Sequence, residues 1–495
     1  MLQYAIEKTS AYLKDMPKDR RKNIGQFFTS PETARFMAEL FDIPEKQNLT
    51  ILDPGTGSAI LSAALLERLA KSPIKSVSLL CYETEAAILP LLRDVLAHIR
   101  STAPFHFNYK IITENYITSQ KKVAPSADLI ISNPPYRKIP RLAEEAQAMP
   151  HVVHGAPNLY FLFAARSIEN LFHGGQMVYI IPRSWTSGAY FKKFRRFLLQ
   201  HASLQHMHLF ISRDKVFDQE TVLQETMIIK VKKTVNLPKN ITITSTDSNR
   251  DFKKRQTLKI PASLVVGNDE NHYVFLITNE AEKAVLERLS IFQETLPSLG
   301  LKMKTGLTVD FREQQYLLDE PSADAVPMFF SQHMKGGRIV FPIGKHGEYL
   351  RKGKASLLQS NSNYLFVKRF TAKEESRRLQ CSIYLHTDFP SYTEISTQNK
   401  INFITCLEQT PLSEAMVYGL YCIFNSTLYD QYYRILNGST QVNSTEVNTM
   451  PVPGAAEIEY MGRKLQTIAD LTESRCNEVL EEFLDVKNRR CQKIS

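Results

Sequence analysis

The tetrapeptide Asn133-Pro-Pro-Tyr136 joins an amide side chain, two residues without a backbone N–H and an aromatic ring. It ends the run Ala127-Asp-Leu-Ile-Ile-Ser132, whose apolar part, Leu129–Ser132, reads as a buried strand. Proline fixes its own φ and cannot donate, so the chain must leave the sheet there. Asn133 and Tyr136 then emerge at the carboxyl end of a strand, where open α/β sheets bind their ligands. The Asn133 oxygen and the carbonyls around Pro134 accept hydrogen bonds. With Tyr136 as a flat face, the set can grip a planar ring carrying an amino group. These residues alone leave adenine, cytosine and glutamine open as the source of that amine.

The elements that must position this tip can be read on either side of it. Leu49-Thr-Ile-Leu-Asp-Pro-Gly-Thr-Gly-Ser58 followed by AILSAALLERLAK is strand, glycine turn and helix, the first unit of a nucleotide-binding α/β fold. Gly55 and Gly57 allow a tight turn and close approach to a ligand, and Asp53 at the strand end can accept from an ammonium group. Val77-Ser-Leu-Leu-Cys-Tyr-Glu83 is a second strand ending in an acid, the place for a carboxylate that holds both ribose hydroxyls. Glu85 is its weaker neighbour. A third strand, Tyr109–Thr113, runs into Glu114-Asn115-Tyr116, which puts a polar group beside an adenine edge. Upstream, Gly25-Gln-Phe-Phe-Thr-Ser-Pro-Glu32 predicts a helix start, with a hydroxyl cap at Thr29 or Ser30 and proline in the first turn.

Further along, 157–172 predicts an aromatic helix stopped by Gly174-Gly175, 177–182 a fifth strand and 188–200 a helix. Lys192, Lys193, Arg195 and Arg196 on that helix read as a solvated face, with DNA phosphate contact the alternative. The basic patch Lys18, Arg20, Arg21 and Lys22 reads as a solvated arm, with a phosphate contact the alternative. A strand near 204–210, the loop Arg213–Phe217 and a last strand, Glu225–Val231, complete this half. Residues 232–260, rich in Asn, Thr, Ser, Lys and Asp, predict a linker.

A chain of 495 residues exceeds one compact core, so two domains are expected, 1–235 and 236–495. The net charge of +10 favours a polyanionic partner, nucleic acid first. Six cysteines show no Cys-x-x-Cys pair and no zinc spacing, which fits reduced thiols in the cytoplasm and no metal. No apolar run of membrane-spanning length and no signal-peptide core is present. In the second half, Lys302–Thr308, Lys335–Arg338, Phe366–Arg378 and the amide-rich Asn437–Asn443 read as basic or polar loops. Arginine suits guanine and amides suit adenine in the major groove, so these segments point to target recognition. Residues 455–490 predict a final charged helix.

The order Phe-Phe-Thr-Ser-Pro, Asp-Pro-Gly-Thr-Gly, strand-end acid, Asn-Pro-Pro-Tyr, aromatic helix, loop Phe over roughly 23–231 resembles the gamma class of DNA adenine-N6 methyltransferases, the TaqI-like and Eco57I-like modification enzymes. The resemblance implies an α/β, Rossmann-like S-adenosylmethionine-dependent sheet, plus a mixed α+β target-recognition domain. It implies that Thr29, Asp53, Gly55, Gly57, Glu83, Asn115 and Phe163 line the S-adenosylmethionine pocket. Asn133, Pro134 and Tyr136 would hold the target adenine, with Phe217 stacked on its other face. Two positions depart from the pattern: Ala59 replaces a frequent glycine, and Asn115 replaces a common Asp. The implied partner is double-stranded DNA, bound by a monomer, with a cognate restriction endonuclease acting separately and no membrane.

Such chemistry needs positioning and electrostatics rather than a histidine base or a covalent cysteine. The absence of a Pro-Cys nucleophile argues against cytosine-C5 methylation. An amine inside a duplex is out of reach, so the base must be flipped out. Cytosine-N4 methylation, protein-glutamine methylation and a catalytically silent DNA-binding subunit are the alternatives.

Overall fold

A computed structural model describes residues 1–15, 29–119, 126–211, 226–267, 270–372, 375–408, 410–436, 441–468 and 470–492. Phe217, the basic patch at 18–22 and residues 437–440 lie outside the described residues. The chain divides into two compact units, Met1–Glu280 and Ala281–Ser495.

In the first unit the described residues run α1 (Leu2–Asp15), α2 (Pro31–Glu39), β1 (Asn48–Asp53), α3 (Ile60–Leu69), β2 (Ser76–Tyr82), α4 (Leu89–Thr102), β3 (His106–Ile112) and β4 (Ala127–Ser132). They continue through α5 (Glu144–Ala148), α6 (Leu159–Asn170), β5 (Leu171–Pro182), α7 (Lys192–His201), β6 (Ser203–Phe210), β7 (Thr226–Lys232), β8 (Asn240–Thr246) and β9 (Gln256–Pro261). The nine strands form one sheet in the order β3-β2-β1-β4-β5-β7-β6-β8-β9. Strands β3, β2, β1, β4 and β5 are mutually parallel, and β7 enters antiparallel between β5 and β6. Every residue of β4 is buried, as a central parallel strand covered on both faces requires.

Chain direction reverses between β1 and β4. From β1 the chain moves out to β2 and β3, then returns past β1 to form β4. Open α/β sheets form their ligand crevice at such a switch point, outside the strands' carboxyl ends. Ile51 pairs with Leu129, Asp53 with Cys81 and Tyr82 with Ile112, so the chemistry-bearing tips of four strands lie on one edge.

The expected boundary at 235/236 falls inside the first unit. Residues 240–246 are not linker: β8 pairs parallel with β6, and β9 pairs antiparallel with β8. Side chains lock this extension. His208 bonds Thr244 Oγ1 at 2.8 Å and Thr246 Oγ1 at 3.1 Å, and Phe252 stacks on Phe36 of α2 with ring centroids 4.4 Å apart. The polar composition that suggested a linker is the alternation of a sheet extension, with Ile241 and Ile243 turned into the core.

Two other readings change. The aromatic helix ends at Asn170, and Gly174-Gly175 already belongs to β5. Arg195 of α7 is fully buried. Its guanidinium donates to the carbonyls of Trp185 (2.9 Å), Gly188 (2.8 Å) and Asn271 (2.8 Å), and it lies over the Tyr273 ring.

The second unit is built on two sheets among its described residues. One has six strands, with Leu301–Thr305, Ile401–Cys406, Tyr364–Lys368 and Cys381–Tyr384 adjacent; the other has five. Phe329, Tyr364, Phe366, Tyr384 and Phe403 fill a shared aromatic core. The segments read as basic loops are partly strands, and Lys335–Arg338 is a tight hairpin turn with Gly336 and Gly337 at positive φ. Arg377 and Arg378 are tied into the fold, Arg377 to Glu473 at 2.7 Å and Arg378 over the Tyr433 ring. The final helix is two helices, Ala455–Gln466 and Glu473–Gln492. No helix among the described residues is long and apolar enough to cross a membrane.

Candidate active site

A cavity of about 320 Å³ opens along the carboxyl edge of β1, β2, β3 and β4. Its wall includes Thr29, the loop Pro54–Ser58, Tyr82, Glu83, Glu85, Glu114, Asn115, Tyr116, Asn133, Pro134, Arg137, Glu145 and Phe163.

Local sequence explains how each side chain reaches it. Ser30 caps α2 by accepting from the Thr33 N–H, and Pro31 opens the helix, which leaves Thr29 at its mouth. Gly57 adopts φ +55°, and its N–H donates to Glu83 Oε2 at 2.9 Å, tying the glycine loop to the tip of β2. A Cβ on Gly55 would lie 3.5 Å from Ser132 Oγ and 3.8 Å from the Asn133 carbonyl, so the loop runs against the Asn-Pro-Pro-Tyr segment. Ala59 takes the left-handed conformation itself at φ +65°. The turn is therefore kept without the glycine, at a strain of about 1 kcal/mol.

Asn158 caps α6, which carries Phe163 to the far wall. Phe163 is half-buried and packs 5.3 Å from Tyr116, which meets Tyr82 edge-on at 5.0 Å. This aromatic wall faces a carboxylate-rich one. Burial pushes Glu83 above the ordinary carboxylate range, against the N–H groups of Glu85 (2.7 Å) and Gly57 that hold the charge in place. Each carboxylate oxygen keeps a second lone pair. An aromatic slot, a strand-end carboxylate and three further acids at Glu85, Glu114 and Glu145 suit a cationic nucleoside with free ribose hydroxyls. S-adenosylmethionine fits that description.

At the other end, the Asn133 amide donates to Thr29 Oγ1 at 3.2 Å, and its oxygen accepts from the Tyr136 hydroxyl at 2.7 Å. The Tyr136 hydroxyl also lies 3.0 Å from the Ile180 carbonyl. Its ring is buried against Tyr160 and is not part of the cavity wall. Thus Tyr136 stands behind Asn133 and orients it.

Of the residues expected around the donor and base, Thr29, Gly55, Gly57, Glu83, Asn115, Phe163, Asn133 and Pro134 share this cavity. Asp53 does not reach the wall. It is buried beneath the glycine loop, where Ser62 Oγ donates to one oxygen at 2.7 Å. Its other oxygen has Gly55 and Ser132 nearby but makes no hydrogen bond among the described residues. Arg137 and Glu145 were not anticipated. Both follow the motif in an irregular stretch, 137–143 and α5, whose sequence has no period to mark a facing direction.

Burial raises the Asp53 carboxyl from its ordinary 3.8 to about 7. The unfolded chain releases this proton near 3.8 and the folded chain holds it to about 7. The cost of the buried charge is therefore absent below the first value and complete above the second. Asp53→Asn should unfold at higher urea than the wild type at about pH 8. That advantage should shrink by about 3 kcal/mol by about pH 5. Parallel unfolding curves across pH would rule out this protonation behaviour.

Residues 73–217 match the family described as Eco57I restriction-modification methylase. The chain is 31% identical over 480 residues to the type II methyltransferase M.PstI of Providencia stuartii, covering 94% of each chain. It is 31% identical over 496 residues to M.BsuBI of Bacillus subtilis, covering 97% of each. Among solved structures, the type IIL restriction-modification enzyme MmeI shares the fold with a TM-score of 0.52 at 10% identity, over 88% of this chain and 70% of that one. Near-complete coverage by sequence relatives, on a doubly wound sheet with an acidic and aromatic crevice at its switch point, gives one conclusion: the chain belongs to the Eco57I-type restriction-modification methylases and is a type II DNA methyltransferase that uses S-adenosylmethionine.

Proposed function

We propose that the protein is a site-specific DNA adenine-N6 methyltransferase, EC 2.1.1.72, and that Met1–Glu280 performs the transfer while Ala281–Ser495 recognises the target sequence. The observation that carries this reading is Asn133. Its side-chain oxygen is set at the tip of β4 by Tyr136, in the wall of the cavity that also contains Glu83.

S-adenosylmethionine supplies a methyl group on an electron-poor sulfur. The chain's task is to make a poor nucleophile usable. The exocyclic nitrogen of adenine shares its lone pair with the ring. The Asn133 oxygen and the Pro134 carbonyl can each accept one of its hydrogens, which favours a pyramidal nitrogen with its lone pair exposed. Tyr136 holds the amide in the required orientation, and Thr29 fixes its other end. Phe217 is assigned to stacking on the flipped base by resemblance alone. Exposed Lys302, Lys304 and Lys335 of the second unit suit phosphate contact. We place the enzyme in the cytoplasm as a monomer on DNA, beside a separate cognate endonuclease that cuts the same site when unmodified.

The test is the product. DNA incubated with the enzyme and the donor, digested to nucleosides and weighed by mass spectrometry, should contain N6-methyldeoxyadenosine. N4-methyldeoxycytidine would overturn the base assignment while leaving the amine chemistry intact. Single-molecule sequencing of the same DNA gives the recognition site.

A further inference from the structure

The adenine ring of the methyl donor needs a hydrogen-bond acceptor for its 6-amino group and a donor for ring N1. Asn115 stands where an acceptor is expected, but the geometry denies it that role. Its side-chain oxygen accepts from the Ile117 N–H at 2.9 Å, with the Thr118 N–H at 3.4 Å. That contact fixes the amide's orientation, so the NH2 group turns the other way. There it donates to Glu145 Oε1 at 3.0 Å. Asn115 therefore offers the cavity hydrogens, and only its neighbour offers lone pairs. Glu145 Oε2 accepts from no described residue, and Glu145 and Asn115 both line the cavity.

We infer that Glu145, not Asn115, receives the 6-amino group of the donor's adenine. Asn115 anchors the Glu145 carboxylate and turns its remaining amide hydrogen to ring N1. The two side chains together form an acceptor–donor pair that matches the adenine edge and mismatches a 6-oxo purine. Rival carboxylates are placed less well. Both oxygens of Glu83 are engaged by backbone N–H groups at the ribose position, and Glu114 is exposed while Glu145 is half-buried. This inference rests on the reading that the cavity holds S-adenosylmethionine.

The experiment compares two ligands by calorimetric titration of the full chain: S-adenosylhomocysteine and its counterpart built on purine riboside, which lacks the 6-amino group. The wild type should prefer the amino ligand by about tenfold, the scale of one charge-assisted hydrogen bond. Glu145→Ala should weaken the amino ligand by about tenfold and the deamino ligand by less than about twofold, so the preference collapses. Glu114→Gln should keep it. Equal loss of both ligands in Glu145→Ala, or no loss of either, would overturn the proposal, as would collapse of the preference in Glu114→Gln. Failure of the wild type to bind either ligand would remove the cavity reading itself.

Discussion

Asn133→Ala is expected to lower methyl transfer by about a thousandfold or more, while DNA retention on filters and binding of S-adenosylhomocysteine stay within about threefold. The magnitude follows from what is lost. Removing a single preorganised polar group at a reacting centre costs about 10²–10³ in rate. Asn133 is also the joint of a small network, since Thr29 and Tyr136 both bond to it. Binding should survive because the donor's cavity is mostly built by other elements, β1, β2, β3 and α6. Tritium transfer from labelled donor to DNA measures the first quantity. Turnover near the wild-type level would remove Asn133 from the reaction.

Arg195→Ala should destabilise the first unit by about 3–5 kcal/mol, read as an earlier midpoint in urea. The guanidinium satisfies three carbonyls in a closed pocket, those of Trp185, Gly188 and Asn271. Truncation strands all three away from water and leaves a void beneath Tyr273. Arg196→Ala, one position on at an exposed site, should change stability by less than about 0.5 kcal/mol. Equal effects would mean that Arg195 is as dispensable as a surface charge.

That pair also shows where reading a sequence stops. In KKFRRF, Arg195 and Arg196 are the same residue type on the same helix, and nothing local says that one enters the core. Tertiary placement decides it: the partners of Arg195 lie as far away as Asn271. By contrast, β1 and β4 were legible because each is a short apolar run closed by proline, and β2 because its apolar run stops at an acid, local signals that survive any context. The glycine loop, Glu83 and Asn133 followed directly, since a strand tip fixes where its last side chain points.

Asn115 was legible as a position in the cavity wall, but not the way its amide is turned. The backbone N–H of Ile117 decided which end of the amide faces the cavity. Asp53 was read as a cofactor contact from its place at the end of β1, and lies instead under the loop it supports. The sheet extension at 240–261 was missed because threonine and asparagine count toward both loops and half-exposed strands. Only pairing with β6 distinguishes the two.

The extension on β6 matters for anyone who would re-target the enzyme by exchanging its proposed recognition half with that of a relative. A junction at 235/236 would strip β8 from β6 and bare a row of backbone donors and acceptors. Such an edge pairs readily with other molecules and precipitates them. A junction after Glu280 carries all nine strands with the transferring half, and is where chimeras should be spliced if they are to stay in solution.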